Sequence, residues 1–237
     1  MTHLRVLTAT ETRTSLVDVL RRQPRAFTFA ELASMASTRK ARTAIARGDI
    51  ARVLPDAYVA GIHAEAFVAR VDAALLWAGP SAALSGPAAM FAWGFLEQPP
   101  DVIDIVLPHP LHVRTPDWLR VRRINWRPPV SRVNGMTVVG PAHAVVLGYG
   151  RLPVRERANA VYRAIATRLV TAQGLMATLE SVPRIGARRE LHGRLLAAAA
   201  GAESFLEEHS LRKVFHTAEF ARFVRQHRVV VSGEVSR

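Results

Sequence analysis

The chain has 237 residues, 49% of them hydrophobic and 22% charged, with a formal net charge of +13 and no cysteine. This composition supports a real core and excludes overall disorder, while the missing thiol excludes disulfides, cysteine-based zinc sites and thiol nucleophiles. Such an excess of cations is a self-repulsion cost in a soluble protein and points to a polyanionic partner, nucleic acid first.

Residues 1–13 carry no clear periodicity and read as a loose arm without the apolar centre of a signal peptide, so a cytoplasmic location is expected. Leu16, Val19 and Leu20 then give one face of a first helix ahead of the breaker Pro24. Thr28 precedes Glu31 by three residues, the spacing of a capping box, and Leu32 and Met35 are expected to face inward from the helix it starts. After a turn at Ser37 and Thr38, Ala41, Ala44 and Ile45 recur at helical spacing as a small apolar face. Arg39, Arg42, Thr43 and Arg47 lie on the opposite side with Lys40 beside them, and Gly48 is placed to end the helix. Ile50–Leu54 and Ala57–Val59, joined at Pro55 and Asp56, read as a hairpin carrying Arg52. Any one of these features is commoner in a solvated surface helix. Their order and lengths together predict a winged helix-turn-helix over residues 1–62, with Arg39, Lys40, Arg42, Thr43, Arg47 and Arg52 facing double-stranded DNA.

Ala73 to Leu96 is uncharged and long enough for a bilayer, but Gly79-Pro80 and Gly86-Pro87 interrupt it, so two short buried helices are expected and no membrane span. The first runs from Ala64 to Ala78, and Ser85 caps the second, which runs to Trp93. Val102–Leu107 reads as a buried strand around Asp104. Trp118 to Trp126, with Arg120, Arg122 and Arg123, reads as an exposed strand face with half-buried tryptophans at its edge in preference to a platform for stacking bases. Asn134-Gly135 marks a hairpin. From Pro141 the chain turns helical, with Val154, Ala158, Val161, Ile165 and Leu169 on one stripe, a helix capped by Thr171, and further helices over 184–200 and 201–223 before a strand-like run at Arg228–Val231. The expected fold class is α+β, mainly helical: the winged helix-turn-helix, an α+β domain over 63–200 with a small antiparallel sheet, and a short unit over 201–237.

His109 and His112 form an H-x-x-H spacing in a proline-flanked loop without supporting Glu or Cys, a poor basis for a metal site. Common nucleotide-binding and hydrolase signatures do not occur. Glu203, Glu207 and Glu208 read as an acidic first helical turn. No cofactor, metal or catalytic group is expected, and the chain reads as a binding protein and not an enzyme.

The order of the pieces resembles the AbiEi-family antitoxins of bacterial type IV toxin-antitoxin systems. The likeness is carried by FTFAELASMASTRKARTAIARGDIARVLPDAYVAG, AALLWAGPSAALSGPAAMFAWGF, VIDIVLPH, NGMTVVGPAHAVV and LVTAQGL. It implies an N-terminal winged helix-turn-helix that binds repeats in its own promoter, a following antitoxin domain, and a nucleotidyltransferase-type toxin encoded next door. Relatives often carry Asp where this chain has Leu147 and Tyr162. The segment from Gly201 to Glu234 resembles the opening of a very-short-patch-repair-like endonuclease domain, whose metal-binding acids come later than Arg237. The alternative expectation is therefore a truncated or inactive DNA endonuclease.

Overall fold

The computed structural model describes residues 15–108 and 114–200, together with the backbone of 229–231 and 234–236. The N-terminal arm, His109, His112 and the 201–223 helix with its glutamates lie outside the described residues. The fold is α+β, and about half of the described residues are helical.

The first unit is α1 (Leu16–Arg21), α2 (Phe29–Met35), α3 (Thr38–Ala46) and an antiparallel hairpin of β1 (Ile50–Leu54) and β2 (Ala57–Ala60). Each helix start is satisfied by a side chain: Ser15 accepts from Asp18 N, Thr28 from Glu31 N, and Ser37 from Lys40 N. The Glu31 carboxylate returns to Thr28 N at 2.7 Å, completing the capping box. Loss of such a cap costs about 1 kcal/mol. Thr28→Ala is expected to lower the chain's stability by that amount in urea titration, whereas Thr28→Ser should recover most of it. The hairpin turn takes its left-handed residue at Asp56, φ 51°, and its carboxylate accepts from Phe29 N at 2.9 Å. Turn and helix start are thereby fastened together. Leu20, Phe27, Leu32, Ala41, Ala44, Ile50 and Ala60 form a small core of their own. Met35, expected to face inward, is instead 43% exposed at the last position of α2.

After a 3-10 turn at Gly61–His63 comes α4 (Phe67–Ala78). It packs against the β1–β2 hairpin and also against the sheet that follows, and Asp72 accepts from Ala26 N at 2.8 Å. This sheet is five-stranded and mixed, where a small antiparallel one is expected from the sequence. Its strands are β3 (Ala83–Ser85), β4 (Ile103–Leu107), β5 (Leu119–Arg123), β6 (Val130–Val133) and β7 (Met136–Val139), ordered β5-β4-β3-β7-β6. The pairs β3–β4 and β6–β7 are antiparallel, whereas β3–β7 and β4–β5 are parallel. All five residues of β4 are buried, so both faces of the sheet are covered there, by α4 and by α5 (Gly86–Ala92), while α6 (Pro141–Gly148) packs on β3. The Asn134-Gly135 turn joins β6 to β7 with positive φ at both residues, the geometry of a two-residue type I′ hairpin.

Ser85 occupies the cap position of α5, but its side chain makes no cap hydrogen bond. Pro87, the second helical residue, has no N–H to offer it. α5 and α6 meet closely through small residues. A Cβ on Gly148 would lie 2.9 Å from Gly86 C and 3.1 Å from Pro87 N.

A second 3-10 turn at Tyr149–Arg151 leads to α7 (Val154–Ala166), α8 (Ala172–Ser181) and α9 (Arg188–Ala199). The stripe on α7 holds at Ala158 and Val161, but Val154 and Leu169 are 72% and 50% exposed, since one opens the helix and the other lies past its end. Thr171 caps α8 by accepting from Gly174 N at 3.0 Å. Leu147 and Tyr162 are both buried. Beyond residue 200, β8 (Val229–Val231) pairs antiparallel with β9 (Glu234–Ser236).

Candidate nucleic-acid interface

α3 is held to the small core by Ala41 and Ala44, whose short side chains allow a close approach. Everything on its other side faces solvent: Arg39, Lys40, Arg42 and Thr43, with Arg47 at the C-cap, are all exposed. Gly48, φ +78°, ends the helix in the left-handed conformation. Five of the six residues singled out in the sequence are thus gathered on one helix, while Arg52 is exposed on β1, opposite Tyr58.

Between residues 15 and 62 there are eight cations, Arg21, Arg22, Arg25, Arg39, Lys40, Arg42, Arg47 and Arg52, and four acids, Asp18, Glu31, Asp49 and Asp56. All four acids are engaged. Asp18 takes the Ser15 hydroxyl, Glu31 completes the capping box and lies 3.7 Å from Arg25, Asp49 lies 3.9 Å from Arg21, and Asp56 holds Phe29 N. α3 itself contains no acid. Among the described residues, the side chains of Arg39, Lys40, Arg47 and Arg52 make no ion pair. The positive charge on this face is therefore uncompensated by acids within the unit.

Two side chains differ from a simple row of free donors. Thr43 Oγ1 donates to Arg39 O at 2.9 Å, so its hydroxyl proton is spent on its own helix. The Arg42 guanidinium lies 6.0 Å from the centre of the Phe29 ring, which itself tilts against Tyr58 at 6.1 Å. Arg42 thus lies at the outer limit of a cation–π contact with Phe29 on α2.

The other arginine-rich strand has different work. On β5, Arg120 pairs with Asp104, Arg122 donates to Arg184 O, and Arg123 is exposed. Trp118 lies under Arg70 at 5.1 Å, and Trp126 lies 5.5 Å from His143. Both tryptophans are half-buried, as expected for a sheet edge.

The helical layer holds a polar network that no sequence motif marks. Fully buried Tyr149 donates its hydroxyl to Glu190 at 2.8 Å and accepts from Arg194 Nε at 2.9 Å, while Arg157 reaches the other Glu190 oxygen at 2.7 Å. Burial opposes ionisation of Glu190, but the hydrogen bonds from Tyr149 and Arg157 and the nearby guanidiniums outweigh it and hold the carboxyl below its ordinary value. With partners spaced 41 and 45 residues apart, no local motif announces the network. Its groups satisfy one another, which is the signature of a structural element. Among the described residues, no cluster of three or more His, Asp or Glu is placed to hold a metal ion, and no helix is long and apolar enough to cross a membrane.

No protein-family model and no curated protein matches this chain. Among solved structures it is similar to the crystal structure of the RV2827C protein from Mycobacterium tuberculosis, with a TM-score of 0.49 and 18% identity over 83% of this chain and 78% of that one.

Proposed function

We propose that the chain binds double-stranded DNA through a winged helix-turn-helix at residues 1–62, acting as the autorepressor and antitoxin of a toxin-antitoxin operon. The observation that carries this reading is the outer face of α3: exposed cations without acidic partners, on a helix fixed by its other side, inside a three-helix unit followed by a hairpin. In that arrangement α3 enters the major groove, with Arg39, Arg42 and Arg47 toward base edges, Lys40 toward flanking phosphates, and Arg52 reaching the backbone from the wing. The domain over 63–200 is the antitoxin part, and its partner is a nucleotidyltransferase-type toxin encoded beside it, as the family resemblance implies.

The test is binding of the purified protein to its own upstream DNA and to unrelated DNA of equal length across a salt series. Charge alone gives weak binding to both fragments with the same steep salt slope. The proposal expects the promoter fragment to bind at least about a thousandfold tighter at physiological salt. Equal affinity for the two fragments would remove the repressor assignment.

A further inference from the structure

We propose that a cleft between the β4–β5 edge of the sheet and the Tyr149–Arg151 turn binds a small organic monoanion, a carboxylate with an apolar body. The cleft encloses about 420 Å³, within the range of metabolite sites, and lies in the middle region of the chain, sharing no residue with α3. At its inner end is Asp104, whose side chain is 9% exposed. Asp104 Oδ1 lies 3.3 Å from Arg120 NH1 and 3.7 Å from Arg151 Nε. The two arginines come from different elements: Arg120 is the register partner of Asp104 on the neighbouring parallel strand, and Arg151 closes the 3-10 turn after α6.

This arrangement does more than neutralise a buried acid. A single carboxylate oxygen orients two guanidiniums whose side chains remain 42% and 39% exposed, leaving donors of both turned away from Asp104 and available at the cleft. The carboxylate is backed closely by Gly86, φ +56°: a Cβ there would lie 3.1 Å from Asp104 Cβ and 3.2 Å from its Oδ2. Pro99, Pro100 and Pro153 line part of the cleft with Leu152, giving an apolar segment with little conformational entropy to lose on binding, in a lining that is otherwise of mixed polarity.

Charge selects the ligand. In contact with the Asp104 carboxylate, two guanidiniums against one carboxylate leave a single positive charge; Arg122, two positions along β5 on the same face as Arg120, adds a more distant positive field that Asp104 and Arg151 both feel. At the rim, Arg155 and Glu156 pair at 3.6 Å and Asp101 is exposed, while Arg122, further along β5, is turned to Arg184 O. One negative charge matches that balance, whereas a phosphate monoester would bring a second charge against Asp101.

The full chain is titrated calorimetrically with three probes sharing one ring: benzoate, benzamide and phenyl phosphate. Saturable binding of benzoate is expected, at least about tenfold tighter than either other probe, and weakened about tenfold or more by Arg120→Gln or Arg151→Gln. Benzamide binding as well as benzoate, phenyl phosphate binding better, or no saturable benzoate binding would each overturn the assignment. Should a variant fail to fold, the wild-type Nε–H resonances of Arg120 and Arg151 decide: they shift with benzoate and not with benzamide, and unmoved signals overturn it. Neither readout involves DNA.

Discussion

Gly150→Ala is expected to destabilise the chain by about 3 kcal/mol, a fall in Tm of about 6 to 12 °C for a protein of this size. A Cβ on Gly150 would lie 2.5 Å from both the carbonyl carbon and oxygen of Gly186 and 2.7 Å from its Cα. These are backbone atoms, so no rotamer change relieves the overlap, and two chain segments must separate. The segments that meet here are the 3-10 turn at Tyr149–Arg151 and the entry to α9, where Ala187 already adopts a left-handed φ of 56°. Separating them pulls on the network beside them, in which Tyr149 bridges Glu190 and Arg194. Burial pushes the Tyr149 hydroxyl up to about 12, so it remains the proton donor to Glu190 across the neutral range, and any shift leaves a buried donor unpaired. Gly174→Ala is the control. It lies in α8, where alanine gains up to about 1 kcal/mol of helix propensity, and its added Cβ meets only the Thr171 hydroxyl oxygen at 3.2 Å. Thermal unfolding of both variants decides: a Gly150→Ala midpoint within about 2 °C of the parent would mean that the close approach yields easily.

What could be read from the sequence follows the range of the interactions. Thr28 with Glu31, Thr171 with Gly174, Gly48 after α3, and Asn134-Gly135 are local arrangements in which residue type and conformation determine each other over a few positions, and each takes its expected place. The inward face of α3 at Ala41 and Ala44 is legible for the same reason. β3 is not. Its three residues, Ala83–Ser85, are all buried, so it shows no alternation and merges with the apolar helices on either side. Missing that strand misses the parallel β3–β7 pair and with it the five-stranded sheet. The Asp104 cluster is hidden for a different reason. Asp104, Arg120 and Arg151 are brought together by strand register and by the path of the chain after α6, which no spacing encodes.

The largest functional effect is expected on α3. Arg42→Ala and Arg47→Ala should each weaken binding to the chain's own promoter by about 1 to 3 kcal/mol if the side chain is bidentate to guanine, and should relax sequence preference at one position. The two need not be equal. Arg42 lies at the edge of a cation–π contact with Phe29, and if that contact orients the guanidinium, Phe29→Leu should reproduce part of the loss without touching any charge. Lys40→Ala and Arg52→Ala should instead weaken promoter and unrelated DNA alike and reduce the salt slope by about one, as lost phosphate contacts do. Thr43→Val should change affinity little, because the hydroxyl proton is committed to Arg39 O. This pattern separates two origins of a basic face. An arginine-rich composition predicts that every cation on α3 contributes the same nonspecific increment, whereas a reading helix predicts that Arg42 and Arg47 discriminate between sequences and Lys40 does not. If Arg42→Ala and Arg47→Ala leave the ratio of promoter to unrelated affinity unchanged, α3 is only a charged surface, and the reading element must lie elsewhere in the chain.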